Sequence, residues 1–107
     1  MLTVEIHNEA VQAAKDAVSA HRQKHPNGFF GCGFAWVSVY ERGNTKMGKS
    51  FIKQGFTKSY DGGWKLWDPA NTGGQCIVEK EMGAEAYVNT VKKYLPEVKL
   101  YANSRLD

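Results

Sequence analysis

Apolar residues recur at helical spacing in two long segments, one near each end of the chain. Residues 4–24 contain neither glycine nor proline, and they predict a first helix with Thr3 as its N-cap. Residues 79–95 predict a second helix, with lysines in its last turn and Pro96 directly beyond it. The predicted inward positions are Val4, His7, Val11, Ala14, Val18 and His21 in the first helix, and Ala84, Tyr87, Val88, Val91 and Leu95 in the second. A short strand over 3–6, followed by a helix capped by Asn8, is an alternative that the sequence leaves open.

Strand patterns occupy the middle of the chain. The longest charge-free run, FFGCGFAWVSVY over residues 29–40, is aromatic and β-branched, and it predicts a central strand. Residues 56–60 and 64–67 flank the tripeptide 61–63, Asp-Gly-Gly, which predicts a hairpin. The sheet is therefore expected to contain at least one antiparallel pair.

Shorter segments complete the expected element order. A short helix is compatible with residues 46–54, and brief strands are predicted over 75–78 and 98–102. The polar tail over 103–107 is expected either to fray or to dock through its one leucine. Together these elements predict an α+β fold, a two-layer sandwich of two main helices packed on a small, mostly antiparallel sheet.

Length and composition limit the class of protein. A chain of 107 residues fits one domain, 1–107, and 42% apolar residues are enough for one modest core. The sequence lacks the ~18–20 consecutive apolar residues of a membrane span, so no membrane partner is expected. Glu5 and Glu9 stand where a secretory signal needs a basic and then an apolar segment, which favours a cytoplasmic protein. Cys32 and Cys76 could form one disulfide, but buried thiols are the preferred interpretation.

Positive charge is concentrated where the aromatic residues are. The net charge is +3, yet residues 42–67 hold six basic residues against one acid, a net of +5. Aromatic faces that stack bases, interleaved with cations that contact phosphates, are typical of single-stranded nucleic-acid binding. The candidate residues for this site are Lys46, Lys49, Lys53, Lys58, Lys65, Trp64 and Trp67.

The same pattern has a structural explanation. A half-buried strand alternates apolar and solvated side chains, so aromatic and lysine positions alternate without any ligand. In the predicted strand over 64–67, Trp64 and Leu66 share one face, opposite Lys65 and Trp67. Both interpretations stay open at the level of sequence.

One segment matches a phosphate-binding motif. Residues 43–50, GNTKMGKS, fit the pattern G-x-x-x-x-G-K-[ST], in which backbone amides surround phosphates and the lysine reaches them. The candidate residues are Gly43, Gly48, Lys49 and Ser50. Only about one helical turn separates the motif from Gly55, and no apolar strand ending in aspartate follows to hold a metal ion. A nucleotide- or phosphate-binding protein is therefore the alternative hypothesis, not the first.

Other chemistry finds little support in the sequence. His21, His25, Cys32 and Cys76 could supply four zinc ligands, but their spacing matches no zinc motif, and no metal site is predicted. Cys32 could pair with His7 or His21 as a nucleophile, yet it lies in an apolar strand where thiols are usually inert. No catalytic residue and no cofactor are predicted.

Three segments carry a resemblance to a known group of proteins. Residues 55–69 (GFTKSYDGGWKLWDP), 83–101 (GAEAYVNTVKKYLPEVKLY) and 103–107 (NSRLD) resemble small uncharacterised proteins of tailed bacteriophages and marine viral metagenomes. The resemblance covers the last half of the chain. It implies a viral origin, the host cytoplasm and a compact α+β domain, and it implies no catalytic residue.

The expected function is a non-enzymatic binding or interaction domain. Three tryptophans, five tyrosines and five phenylalanines are many large rings for so small a chain, and a homo-oligomer would cover some of them. Nucleic acid is the best external partner for the basic and aromatic region. A purely structural phage component is a further alternative.

Overall fold

The protein is described by a computed structural model that covers residues 1–26, 31–60, 62–73 and 76–106. Within these ranges it has three helices, α1 (Val4–Lys24), α2 (Lys46–Lys53) and α3 (Ile77–Tyr94), and four strands, β1 (Gly33–Val39), β2 (Thr57–Lys58), β3 (Trp64–Trp67) and β4 (Leu100–Leu106). The strands form one antiparallel sheet in the order β2-β3-β1-β4. Helices α1 and α3 pack against it, which confirms the predicted α+β class.

Helix α1 begins where the sequence predicts. The Thr3 hydroxyl accepts a hydrogen bond from the Ile6 amide at 3.2 Å, which satisfies one of the unpaired donors of the first turn. Val4 is 50% exposed, so its predicted burial is wrong, whereas Leu2, just before the helix, is buried in the core. No helix in the described ranges has both the length and the apolar character needed to cross a membrane.

Polar contacts at both ends fix α1 antiparallel to α3. The Arg22 guanidinium donates two hydrogen bonds to the Glu79 carboxylate, at 2.8 and 3.0 Å. At the other end, the Tyr94 hydroxyl donates to Glu9 at 2.7 Å. The hydrogen bond from Arg22 lowers the pKa of Glu79, and the one from Tyr94 lowers the pKa of Glu9. These exposed contacts determine orientation more than stability, because solvent screens them.

An aromatic cluster fills the core at the N-terminal end of α1. The ring of Phe51 on α2 meets that of Phe56 edge to face, with centroids 5.1 Å apart, and Phe56 lies 6.2 Å from Tyr87 of α3. The hydroxyl of Tyr87, which is fully buried, is hydrogen bonded to Nδ1 of His7 at 2.7 Å. Burial raises the pKa of Tyr87 and lowers the pKa of His7. Burial therefore disfavours the charged form of both groups.

The predicted hairpin is present with a smaller first strand. β2 pairs with β3 at only two positions, and the glycines of the turn, Gly62 and Gly63, have φ of 94° and 71°. That left-handed conformation suits glycine, since it has no Cβ to clash. Asp61 of the predicted turn lies outside the described residues.

The end of the chain differs from the prediction. Residues 103–106 are not a frayed tail, because β4 continues through them and pairs with β1 along its whole length. The predicted strand over 75–78 is also wrong, since α3 begins at Ile77 and Cys76 makes only a single β-bridge. Ile77 packs directly on the backbone of Gly33, where a Cβ would stand 2.5 Å from its Cδ1.

Candidate functional site

One side of the sheet carries no helix among the described residues. Strand alternation turns Ala35, Val37 and Val39 toward α1 and α3, where they are buried. Helix α2 lies on that same side, because its Phe51 packs against the cluster around Tyr87. We call the other side the open face, and the pairing register assigns it the strand residues Phe34, Trp36, Ser38, Thr57, Lys65, Trp67, Tyr101, Asn103 and Arg105.

Three aromatic rings are adjacent on the open face. Trp36 and Trp67 are direct partners across β1 and β3, with ring centroids 4.9 Å apart. Phe34 meets Trp67 edge to face at 6.3 Å. Trp67 is 50% exposed and Phe34 is 40% exposed, although side chains of this size are usually buried. The register of two strands thus holds an aromatic platform at the surface.

A second pair of rings lies toward the other end of the face. Tyr40, just past β1, and Tyr101 of β4 have centroids 5.9 Å apart and are both partly exposed. Between the two aromatic groups, Nδ2 of Asn103 donates to the buried hydroxyl of Ser38 at 2.9 Å. The face therefore has aromatic ends and a polar centre.

Basic side chains accompany the rings. The Lys65 ammonium lies 4.7 Å from the ring centroid of Trp36 and 5.3 Å from that of Trp67. From α3, Lys80 reaches within 5.3 Å of the Phe34 ring and Lys92 within 5.2 Å of the Tyr101 ring. Arg105 is exposed beside Phe34, its partner in the register. Each cation is attracted by the electron-rich face of its ring, by about 0.5–1 kcal/mol at an exposed site.

The structure divides the predicted nucleic-acid residues among four places. Lys65 and Trp67 belong to the open face, as the alternation in 64–67 predicts. Trp64 lies on the helix side, because it is paired with the buried Val39, and it packs against the core. Lys58 is exposed on the edge strand β2, opposite Trp64.

The remaining three lysines of that prediction share one side of α2. Lys46, Lys49 and Lys53 are exposed, and they border a groove of about 630 Å³ whose other wall is formed by residues 1–4. This groove is on the helix side of the sheet. A ligand on the open face would not touch these lysines.

The segment that matches the phosphate motif is mostly helix. α2 begins at Lys46, and its cap Thr45 accepts the Gly48 amide at its side-chain oxygen, at 3.0 Å, and the Lys49 amide at its carbonyl, at 2.9 Å. The Ser50 hydroxyl donates to the Met47 carbonyl at 2.6 Å and accepts the Leu2 amide at 2.9 Å. A phosphate loop instead directs unbonded backbone amides at the anion. Here the Gly48 and Lys49 amides are instead hydrogen bonded to Thr45 within the helix cap.

Packing accounts for both glycines of that motif. A Cβ on Gly43 would stand 2.7 Å from the indole of Trp64, which lies over this turn. A Cβ on Gly48 would overlap the carbonyl oxygen of Arg42. Each glycine therefore permits a close approach within the protein, and neither requires a ligand.

The cysteine and histidine candidates are only partly brought together. Cys32 is the bridge partner of Cys76, at the start of α3. His7 is bonded to Tyr87, about 16 Å along that helix from Cys76, so it cannot serve Cys32 as a base. The rings of His21 and His25 have centroids 4.9 Å apart. Within the described ranges, no three of the histidine, cysteine and acidic residues are grouped so as to hold a metal ion.

Most residues of the open face are not predicted from the sequence. Phe34, Tyr101, Asn103 and Arg105 are not candidates from the sequence, since β1 carries apolar residues on both faces and the last strand is predicted to end at residue 102. Trp36 is a candidate either for the core or for a binding face, and the sequence does not decide between them. The alternation of aromatic residues at 34, 36 and 40 was the available signal. It becomes informative only once the helices are known to cover the other face.

Comparison with known proteins indicates neither a family nor a function for the chain. No family model, curated protein or solved structure was found to match the chain.

Proposed function

We propose that the protein binds single-stranded nucleic acid on the open face of its sheet. The observation that carries the proposal is the adjacent pair Trp36 and Trp67, with the Lys65 ammonium within 5.3 Å of both ring centroids, on a side without a described helix. Stacking rings and a phosphate-seeking cation thus occur in one place. No enzymatic step is part of the proposal.

The exposed rings suit unpaired bases. A base that stacks on an aromatic side chain contributes about 1–3 kcal/mol, and every base has a face that can stack. Trp67 and Phe34 each present an exposed ring, and Tyr101 offers another across the polar centre. Open four-stranded sheets that bear aromatic residues bind RNA bases in this way. Bases inside a duplex are already stacked, so the expected ligand is single-stranded.

The charges of the face suit a polyanion. Its nine strand residues include Lys65 and Arg105 and no acid, and Lys80 and Lys92 approach from the flanking helix. Cations beside a stack of bases can contact the phosphates that link them. Two copies meeting through this face would bring like charges together, which disfavours face-to-face self-association.

The polar centre supplies further hydrogen-bonding groups. Asn103 uses one amide N–H on Ser38, which leaves its second N–H as a donor and its amide oxygen as an acceptor toward a base. Every base can pair with one of these groups, so the proposal predicts no base preference at Asn103.

The resemblance to phage proteins includes Lys65 and Trp67 within residues 55–69. We extend the proposal accordingly to a phage protein that acts on viral or host nucleic acid in the host cytoplasm. A structural phage component is the competing assignment.

The test is binding of fluorescent ssDNA and ssRNA of about ten nucleotides, followed by anisotropy. We expect Trp67→Ala to weaken binding by roughly 5- to 150-fold, the equivalent of one lost stack. Tyr60→Ala is the matched control, because Tyr60 is a fully exposed aromatic residue that the register does not assign to the open face. It should bind like the wild type.

The salt dependence tests the cationic part of the proposal. Lys65→Ala should reduce the slope of log affinity against log salt by roughly 0.7, the value for one phosphate contact on a single strand. Lys49→Ala, on the far side of the domain, should leave the slope unchanged. Absence of binding near physiological salt would overturn the proposal, and so would equal losses in the Lys65 and Lys49 variants. Dimerisation without such binding would favour the structural component.

A further inference from the structure

The two cysteines of the chain meet in the structure. Cys32, one residue before β1, forms an isolated antiparallel bridge with Cys76, one residue before α3. Neither is part of a disulfide. Residues 44 positions apart in the sequence are thus backbone neighbours, and both carry thiols.

The hydrogen bonds around this bridge define its geometry. The Ile77 amide donates to the Gly31 carbonyl at 3.1 Å, so a hydrogen bond flanks the cysteine pair instead of joining it. At such a non-hydrogen-bonded antiparallel position the Cα atoms are about 4.5 Å apart and the side chains share one face. Disulfides span Cα separations of about 4.4–6.8 Å, so the backbone already meets this requirement.

The two thiols differ in accessibility. Cys32 is partly exposed, whereas Cys76 is buried. A dissolved oxidant therefore meets the sulfur of Cys32 first. Cys76 is then the neighbouring thiol that can attack a mixed disulfide formed at Cys32.

We propose that Cys32 and Cys76 form a reversible intramolecular disulfide by exchange with an oxidised low-molecular-weight disulfide. The Cys32 thiolate attacks one sulfur of the oxidant, which gives a mixed disulfide and releases one small thiolate. The Cys76 thiolate then attacks the Cys32 sulfur, forms the internal bond and releases the second small thiolate. The two cysteines lose two protons and two electrons, and the oxidant leaves as two reduced thiols.

The bond would tie the start of β1 to the start of α3. The closed loop contains β1, α2, β2 and β3, which is most of the sheet. Closing so long a loop restricts the unfolded chain more than the folded one. The oxidised protein is therefore expected to unfold at a higher temperature than the reduced protein.

The experiment treats the folded, reduced protein with oxidised glutathione. We expect both thiols to disappear from a thiol titration, the monomer to lose the mass of two hydrogen atoms, and a peptide map to link the two cysteine peptides. The melting temperature should rise by on the order of 10 °C, and a reductant should reverse the rise.

Cys32→Ser is the control variant, since it alters the more exposed site and leaves Cys76 in place. It should show neither the mass change nor the thermal shift. Several outcomes overturn the proposal: two thiols that persist in the folded protein, a stable adduct with glutathione, a bond that forms only in denaturant, or linkage only between chains. None of these outcomes depends on nucleic-acid binding, so the two proposals are tested separately.

Discussion

Gly48→Ala replaces the glycine at the centre of the phosphate-like motif. In an exposed helix, alanine in place of glycine adds about 0.8–1 kcal/mol to stability. Here the new Cβ would overlap the Arg42 carbonyl, a backbone atom that cannot rotate away. That carbonyl also accepts the Thr45 amide at 3.2 Å and the Thr45 hydroxyl at 2.7 Å, so moving it disturbs the cap of α2.

The expected loss follows from these opposing contributions. Overpacking costs about 1–3 kcal/mol, and a disturbed N-cap costs about 1 kcal/mol. After the gain in helix propensity, we expect a net loss of about 1–3 kcal/mol in the free energy of unfolding. The melting temperature of a domain of this size should then fall by at least about 4 °C.

Urea unfolding, followed by circular dichroism and tryptophan fluorescence, measures this loss. The slope against urea should not change, because the unfolded state is the same. Lys49→Ala, the exposed neighbour on the same helix, serves as the control and should stay within about 0.5 kcal/mol of the wild type. A Gly48→Ala protein as stable as the wild type would contradict the structural role of this glycine. If Gly48→Ala were less stable than the wild type only when phosphate or nucleotide is added, the glycine would instead contribute to binding that ligand.

Two further predictions concern partly buried polar groups. Burial lowers the pKa of His7 below its usual 6.5, so the unfolded chain binds more protons, and stability should fall as the pH drops from 6.5 toward the lower folded value. Urea titrations between pH 7.5 and about 5 measure this decline in stability. His7→Gln should flatten the decline, and the control His25→Gln should preserve it. Equal curves for the wild type and both variants would show that His7 does not cause the pH dependence. Asp68 has φ of 42°, accepts the Thr72 amide and hydroxyl at Oδ2, and buries Oδ1 with no hydrogen-bond partner among the described residues. Asp68→Asn, which keeps an acceptor and tolerates this backbone, should therefore lose less than about 1 kcal/mol, and Asp68→Ala about 1–3 kcal/mol. Thermal unfolding of both variants provides the test, and the reverse order would contradict it.

Local patterns predicted the helices because their buried faces are set by short-range spacing. Ala84, Tyr87, Val88 and Val91 are buried as the spacing in α3 indicates. The same logic placed Lys65 and Trp67 on one face and Trp64 on the other. These inferences need only the periodicity of one element.

Features that depend on distant partners escaped sequence analysis. Residues 103–106 have no apolar pattern, and they form a strand because β1 supplies their hydrogen bonds. Phe34 and Trp36 are as apolar as the core residues beside them, so only the position of the helices decides which face is covered. The match to the phosphate motif is likewise a local pattern, and it could not show that Gly43 packs against Trp64 and Gly48 against the Arg42 carbonyl.

The position of β4 beside β1 has a consequence for folding. Val37 and Ala102 are neighbours in the sheet, although more than half of the chain separates them. Strands β1 and β4 therefore cannot pair until a loop of that length has closed. The conformational entropy of the loop is lost before the strand pairing compensates for that loss. Folding should consequently be slower than in helical domains of equal size. During synthesis, β1 can pair with β4 only after β4 itself has been made, although its other partner, β3, is made earlier.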